Sequence, residues 1–298
     1  MWKTLKQNSH YIIMTSYKSA ATLFAIWSSV ALLTPTDTLL DGVASVPQRV
    51  LLALLIILVL NVIIVVIISV WSMNVRKVKV FNLNSNHSLY VELGDLFTSG
   101  DPNEHRNIVF AGNRCFDTIV DDDLVGTNKV HGAALRRLYE NNKQQSSINK
   151  AIQKNLKLHN YSYVELDNKE KRKGNLKRYE VGSISEIAGL RNERYFILGL
   201  TYFDSELRAR IDKADYIKAI NSLVKYISDR SQGFPTYMPV IGTGGSNIGS
   251  VRDNIGIIIK AIEYYKDDID CDIHIVINDS KDHLGILNIV AQYGGKVI

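Results

Sequence analysis

The sequence predicts an α/β protein in which a three-layer α/β/α domain with a mixed sheet follows a two-helix transmembrane hairpin. Two observations carry this prediction: an uncharged apolar run from Val50 to Ser72, and β and α segments that alternate after Lys79. Alternation of this kind favours a mostly parallel sheet covered by helices on both faces. A third observation, a glycine-rich loop at residues 242–249, indicates where a ligand binds.

Residues 1–76 are predicted to form the transmembrane hairpin, with spans at about residues 19–34 and 50–71. The second span is long enough, because about 20 apolar residues cross a hydrocarbon core. Basic residues collect on the cytoplasmic side of a membrane, so Arg76 and the lysines after it mark that end. Both termini are then cytoplasmic, and a short outer loop is expected around residues 35–47.

The first span is shorter and contains Ser28 and Ser29. A cleaved signal peptide is the competing interpretation, since a basic start before a short apolar core is typical of one. A second span close behind it and the lack of a small-x-small cleavage site favour the hairpin. Asn61, near the middle of the second span, favours self-association through interhelical hydrogen bonds, or else pairs with the first helix of its own hairpin. Neither span carries a ring of ionisable residues, so a selective ion channel is not indicated.

The formal net charge of +5 is concentrated beside the apolar run, because residues 80–298 carry equal numbers of acidic and basic side chains. The surplus therefore sets membrane topology, and no nucleic-acid partner is expected. Two cysteines, Cys115 and Cys271, make no disulfide framework and show no metal-ligand spacing. No metal site is predicted, and a reducing compartment fits.

Residues 77–298 are predicted to form the α/β domain, from the period-2 and helical spacing of its apolar residues. The predicted strands are 78–83, 88–93, 107–111, 177–182, 194–201, 237–241 and 272–277, and the predicted helices are 130–157 in one or two pieces, 212–229, 250–265 and 280–293. The strongly basic stretch 169–178 is expected to be a solvated loop or hairpin end, with phosphate or lipid contact as the alternative.

The loop at 242–249 suits a phosphate group. Its glycines let a ligand approach main-chain N–H groups, and a helix that starts directly after it adds unpaired donors and the positive end of its dipole. The loop is neither a Walker loop nor the dinucleotide fingerprint. A mobile surface loop is the alternative. In parallel sheets ligands bind outside the carboxyl ends of strands, and Gly112, Asn113 and Arg114 follow another strand at such an end.

Four ordered segments resemble the macro domain, an α/β/α module that binds ADP-ribose. They are VELGDL at 91–96, IVFAGN at 108–113, VHGAAL at 130–135 and IGTGG at 241–245. The resemblance implies that Asp95 accepts from the adenine amino group, that Asn113 approaches the distal ribose, and that the glycine loop holds a phosphate. The full set of ligand-binding residues it implies is Asp95, Leu96, Asn113, Arg114, His131, Gly132, Gly242, Thr243, Gly244, Gly245, Ser246, Asn247, Ile248 and Asn278, with no cofactor.

The departures from the macro-domain pattern favour binding over catalysis. Acidic residues at 121–123 replace consecutive glycines in the first phosphate loop, and they are expected to face solvent or a cationic part of the ligand. Phe110 replaces an asparagine, and His131 stands where some hydrolases of the family have an aspartate. Alternative roles are a turn cap for Asp95, a left-handed turn for Asn113, and packing or capping for His131.

A helical hairpin joined to such a domain resembles the membrane-anchored macro-domain effectors of bacterial Thoeris antiphage systems. The resemblance implies a partner TIR-domain enzyme that makes an ADP-ribose-type signal from NAD, and membrane damage once the macro domain binds it. It also implies a multi-pass protein of the bacterial inner membrane with a cytoplasmic domain, contact with lipid, and a homo-oligomer on activation. A membrane-tethered ADP-ribosyl hydrolase and an ADP-ribose-reading scaffold are the alternatives. The ligand beyond its ADP-ribose core and the stoichiometry stay open.

Overall fold

The computed structural model describes residues 2–33, 46–84, 86–139, 144–189, 192–244, 248–278 and 285–298. The chain divides into two compact units, of which the first comprises Met1–Val78 with Gly285–Ile298 and the second Lys79–Leu284. The sequence pattern did not indicate that the C-terminal segment groups with the N-terminal helices.

The helices are α1 (Trp2–Gln7), α2 (Ser9–Leu33), α3 (Val46–Asn74), α4 (Val130–Tyr139), α5 (Gln145–Leu158), α6 (Lys213–Arg230), α7 (Val251–Tyr264) and α8 (Ile286–Tyr293), with a 3-10 turn at Lys266–Asp268. The strands are β1 (Lys77–Asn82), β2 (Ser88–Leu93), β3 (Arg106–Asn113), β4 (Tyr163–Glu165), β5 (Lys177–Tyr179), β6 (Ile184–Ala188), β7 (Glu193–Phe203), β8 (Ala209–Arg210), β9 (Thr236–Pro239), β10 (Ile273–Ile277) and β11 (Lys296–Val297).

In the first unit α2 and α3 pack against each other. The ring centroids of Tyr11 and Trp71 lie 6.4 Å apart. Large apolar side chains such as Leu58 and Ile67 are exposed on α3, which is a surface suited to lipid. Asn61 Nδ2 donates to the Ile57 carbonyl oxygen at 2.8 Å, so its amide is engaged within α3.

Among the described residues, one helical stretch, Leu55–Asn74, is long and apolar enough to cross a membrane. The expected first span at 19–34 is not confirmed as a second one. It lies in α2, where hydroxyl side chains such as Thr22 and Ser28 interrupt the apolar surface and donate to carbonyls one turn earlier. The expected outer loop was around residues 35–47, and its residues 35–45 lie outside the described residues.

The C-terminal helix α8 packs on α2 within the first unit. Asn8 is 1% exposed, and its Oδ1 accepts from the backbone N–H of Leu287 at 3.2 Å. Asn288 Nδ2 donates to the Gln7 carbonyl oxygen. Residues 285–298 are therefore a structural part of the N-terminal unit.

In the second unit the strand order is β1-β2-β10-β9-β3-β7-β6, and β8 also pairs with β7. The neighbours from β2 to β7 are parallel, with Ile277 opposite Leu93 and Phe110 opposite Ile197. β6 and β8 run antiparallel to β7. The predicted mixed α/β sheet is confirmed.

β3 is a central strand of this sheet. All its residues are buried except Ala111, which is half-buried, so the strand is covered on both faces. α6 packs on β7 and on α7. Ile108 and Phe110 belong to one core cluster with α4 and α5, whose contributing residues are Ala134, Leu135, Leu138, Ile148, Ile152 and Leu156.

The predicted strand at 177–182 is shorter in the structure: β5 ends at Tyr179, a turn follows, and the next strand, β6, begins at Ile184. Gly182 has φ 83°, and a Cβ there would lie 2.7 Å from Ser222 Oγ. A side chain is disfavoured in this left-handed conformation. The chain therefore turns at Gly182 after β5, which pairs with β4 in a separate two-stranded sheet, and then joins the large sheet as β6.

The basic stretch 169–178 connects the β4–β5 hairpin, as expected, but it is not simply solvated. Lys171 is fully buried, and its Nζ donates to Asp117 Oδ2 at 2.8 Å and to the Asn175 carbonyl oxygen at 2.7 Å. The backbone N–H of Asn175 donates to the other oxygen of Asp117 at 2.7 Å. The stretch therefore clamps the segment that follows β3.

We expect Lys171→Met to lower the free energy of unfolding of the second unit by about 3–5 kcal/mol, because it leaves Asp117 buried without its counter-charge. The double variant Asp117→Asn with Lys171→Met recovers part of this loss, and the exposed Lys173→Met shifts the midpoint less. The midpoint is measured by urea unfolding of the detergent-solubilised chain, followed by the near-ultraviolet circular dichroism of its tyrosines. Tyrosines are used because all three tryptophans, Trp2, Trp27 and Trp71, belong to the first unit. Equal midpoints for Lys171→Met and Lys173→Met would contradict a stabilising pair.

Candidate functional site

Four predicted site residues follow four neighbouring parallel strands. Asp95 comes after β2, Asn278 after β10, Gly242 after β9, and Asn113 ends β3. Because β2, β10, β9 and β3 are parallel and adjacent, these residues lie at one edge of the sheet. We call this edge the rim. The two loops that the sequence placed at such an edge follow the adjacent parallel strands β9 and β3.

Asp95 forms a tight turn at the rim. Its Oδ1 accepts from the backbone N–H of Phe97 at 2.9 Å, and its carbonyl oxygen accepts from the backbone N–H and the hydroxyl of Ser99, each at 2.9 Å. The carboxylate is thus a turn cap, and the residue is exposed. Leu96, by contrast, is 6% exposed and packs in the cluster of Ile108 and Phe110, so it anchors the turn in the core.

The start of the glycine loop is held in place by close packing around Gly242. Gly242 has φ 92°, and a Cβ there would lie 2.9 Å from atoms of Tyr216, Ile248 and Asn254. The backbone N–H of Ile248 donates to the Gly242 carbonyl oxygen at 3.1 Å. Gly244 is exposed, and no atom of the described residues lies within 4 Å of its Cβ position.

Side chains also brace the start of this loop. Thr243 Oγ1 donates to the Val240 carbonyl oxygen at 2.9 Å, which turns its hydroxyl back toward the strand. The Tyr216 hydroxyl donates to the Ile241 carbonyl oxygen at 2.9 Å. Three further predicted site residues, Gly245, Ser246 and Asn247, lie outside the described residues.

Asn254 on α7 packs against both ends of the glycine loop, and the sequence did not predict it as a site residue. The side chain is 2% exposed; its Nδ2 lies 2.9 Å from the Cβ position of Gly242, and its Oδ1 lies 3.0 Å from that of Gly249. Asn254 Nδ2 has no hydrogen-bond partner within the described part of the chain. The feature of the sequence that could have identified Asn254 is a single amide side chain within the apolar face of the helix that follows the glycine loop.

Asn113 closes the other end of the rim. It is 4% exposed, its Oδ1 accepts from the backbone N–H of Cys115 at 3.0 Å, and its Nδ2 has no partner among the described residues. The left-handed residue of this segment is Phe116, with φ 53°, so the left-handed turn considered for Asn113 falls three residues later.

Arg114 turns away from Asn113 toward the β4–β5 hairpin. Its Nε donates to the Tyr179 carbonyl oxygen at 2.8 Å, and a terminal nitrogen lies 3.8 Å from the Asp215 carboxylate. Burial lowers the pKa of the Arg114 guanidinium, and the charge of Asp215 opposes this. The side chain lines a cavity of about 410 Å³, with Ser162, Tyr163, Val164, Arg178, Glu180 and Tyr202.

His131 lies over the end of β3. Its ring centroid is 5.4 Å from that of Phe110, and its Cε1 is 3.0 Å from the Cβ position of Gly112. Burial lowers the pKa of His131 to about 4, so the imidazole is neutral at pH 7. Gly132 has a packing role, because a Cβ there would strike the Gly126 carbonyl oxygen and approach Thr127 Cα to 3.4 Å.

The three acids at 121–123 are engaged by contacts within the protein. Lys173 Nζ lies 2.5 Å from a carboxylate oxygen of Asp121 and 3.1 Å from one of Asp123. Asp122 Oδ1 accepts from the backbone N–H of Thr127 at 2.7 Å and from its hydroxyl at 2.8 Å. These acids therefore cap turns and pair with the basic stretch. Among the described residues, no cluster of three or more His, Cys, Asp or Glu side chains is suited to a metal ion.

We expect His131→Gln to weaken the acid sensitivity of folding. In the wild-type chain, the unfolded imidazole takes up a proton below its usual pKa of about 6.5, whereas the folded one resists protonation until about pH 4. Stability therefore rises with pH across this interval and is lost as the pH falls through it. The variant should lose less of its free energy of unfolding between pH 7 and pH 4, by on the order of 2 kcal/mol. Urea titrations at matched pH values measure this, and parallel pH profiles would refute it.

The amino-acid sequence of the chain matches a known protein family. The family model described as "Thoeris protein ThsA, Macro domain" matches residues 89–278, more than half of the chain. The Thoeris protein ThsA of Bacillus amyloliquefaciens (strain Y2) is 25% identical over 164 residues, which cover 55% of this chain and 50% of that protein. The chain thus matches about half the length of this curated relative.

Among solved structures, the Oceanobacillus iheyensis macrodomain with MES bound is similar at a TM-score of 0.45 and 14% identity, covering 72% of this chain and 96% of that one. The same organism's macrodomain with ADP has a TM-score of 0.45 and 14% identity, covering 72% and 95%. From the extent of the match to the family model, the chain belongs to the family of Thoeris ThsA macro domains.

Proposed function

We propose that the protein is an antiphage effector whose macro domain binds an ADP-ribose-type signal and thereby activates the membrane helices. The observation that carries the proposal is the rim: Asp95, the glycine loop and Asn113 share one edge of a parallel sheet. Membership of the ThsA macro-domain family supports both the ligand class and the role in defence.

The ligand lies along the rim in the order of the strands. The adenine amino group donates to Asp95, next to β2, and the diphosphate accepts from main-chain N–H groups of the glycine loop. Ser250 caps α7 and its Oγ accepts from the backbone N–H of Asp253 at 3.1 Å, so the positive end of the helix dipole faces the same loop. The distal ribose accepts from Asn113 Nδ2, a buried donor with no partner among the described residues.

Two features favour a sensor over an ADP-ribosyl hydrolase. An imidazole with a pKa of about 4 is a poor general base at neutral pH, so His131 is not suited to activating water. The acidic run at 121–123 is occupied with Lys173 and Thr127. Incubation with an ADP-ribosylated substrate discriminates the two, since release of ADP-ribose would favour the hydrolase.

The membrane response requires a difference in affinity. A ligand shifts a conformational equilibrium only if it binds the active arrangement more tightly. The apolar stretch Leu55–Asn74 is the candidate membrane element. In this proposal the signal comes from a partner TIR-domain enzyme, the protein lies in the bacterial inner membrane with its macro domain in the cytoplasm, and activated copies self-associate, with Asn61 and lipid contacts contributing.

We expect the detergent-solubilised chain to bind ADP-ribose in isothermal titration calorimetry and Gly244→Val to weaken that binding at least about tenfold. No atom of the described part of the chain lies within 4 Å of the Gly244 Cβ position, so we expect valine to fill the place of the phosphates without disturbing the fold. An unchanged melting temperature of the variant checks this.

The matched control is Asp229→Asn, an exposed acid at the end of α6, at the opposite edge of the sheet. It should bind as the wild type does. Binding that survives Gly244→Val, or no binding by the wild type, would overturn the pocket assignment.

A further inference from the structure

Arg106, the first residue of β3, holds the turn that carries Asp95. Its side chain is 4% exposed. One terminal nitrogen donates to the Phe97 carbonyl oxygen at 2.9 Å, and the other donates to the Ser99 carbonyl oxygen. These carbonyls belong to the same turn that Asp95 caps. The guanidinium thus joins the turn to the amino end of a central strand.

The Arg106 guanidinium is itself held by an ion pair with Glu193 on β7. Arg106 donates to Glu193 Oε1 at 2.6 Å, and the same carboxylate accepts from Arg137 at 2.9 Å and from the Tyr195 hydroxyl at 2.9 Å. Burial opposes ionisation of Glu193, but the hydrogen bonds from Arg137, Arg106 and Tyr195 outweigh it and lower the carboxyl pKa. The turn is therefore tied, through one planar cation, to a buried anion on β7.

We propose that Arg106 is a positioning residue that sets the base selectivity of the rim by fixing the orientation of Asp95. This inference rests on the proposed function. Adenine offers an N–H donor to a carboxylate, whereas hypoxanthine presents an oxygen at the same position and is repelled. A carboxylate discriminates between the bases only if its direction is fixed, because a mobile one turns away from the repulsive group at little cost. No ligand contact by Arg106 itself is required.

The fork geometry of arginine is the property that matters. Its planar guanidinium reaches both turn carbonyls and Glu193 together, whereas a lysine ammonium is a point charge that holds them less rigidly. Arg106→Lys therefore keeps the charge beside Glu193 while it loosens the turn. A merely structural ion pair would show a loss of stability with no change in selectivity.

The test compares ADP-ribose with its hypoxanthine analogue, inosine diphosphate ribose, by calorimetry on the full chain in detergent. In Arg106→Lys we expect the ratio of the two dissociation constants to fall about tenfold, mainly through weaker ADP-ribose binding. The matched control is Arg194→Lys, whose guanidinium contacts Glu186 and the Arg230 carbonyl but not the turn. It should keep the wild-type ratio. An unchanged ratio in Arg106→Lys would overturn the inference.

A double-mutant cycle with Asp95→Asn identifies the route of the effect. If Arg106 acts through Asp95, then Arg106→Lys removes no further selectivity from Asp95→Asn. Additive losses would overturn the inference.

A ligand-free readout separates this inference from the proposed function. Hydrogen exchange of the peptide that contains residues 95–100 should be at least about tenfold faster in Arg106→Lys than in wild type or Arg194→Lys. Unchanged exchange would refute the positioning role even if ADP-ribose binds. Faster exchange in a chain that does not bind ADP-ribose would support the clamp and overturn the proposed function, and with it the selectivity role.

Discussion

The parallel pairing of β2, β10, β9 and β3 is the constraint on which the site depends. These strands come from distant parts of the sequence, and only their common direction brings the ends of all four to one edge. A one-residue slip in any pair would turn the side chains of that strand to the other face of the sheet. The register that buries β3 on both faces is thus the same register that assembles the rim.

The buried charges of this domain occur in pairs or larger networks, at both ends of the parallel strands. Lys171 meets Asp117 in the segment after β3, and Glu193 receives three donors beside the Asp95 turn. Isolated charges at such depths would be costly, but each is compensated by hydrogen bonds as well as by an opposite charge. The loops around the rim gain rigidity from polar contacts where they lack the ladder of a sheet.

Local patterns in the sequence predicted most of the second unit, because period-2 and helical spacing are properties of neighbouring residues. They placed β2, β3, β7, α6 and α7 within a few residues, and they identified the glycine loop. They failed where the decisive partner is distant in sequence. At Gly182, close packing against Ser222 on α6 requires a turn where a strand was predicted. Lys171 and Arg106 pair with Asp117 and Glu193, which lie 54 and 87 residues away. Leu96 and Gly132 matched a motif, but their contacts are internal packing, which a motif does not distinguish from ligand contact.

The packing of α8 on the N-terminal helices has a consequence for the design of truncated forms of this protein. Cutting after residue 284, to keep only the ligand-binding part, also removes the helix whose Leu287 amide satisfies Asn8. An N-terminal half prepared without those last residues would carry a buried carboxamide, that of Asn8, that has lost its donor. Co-expression of the tail as a separate peptide is the natural way to restore it.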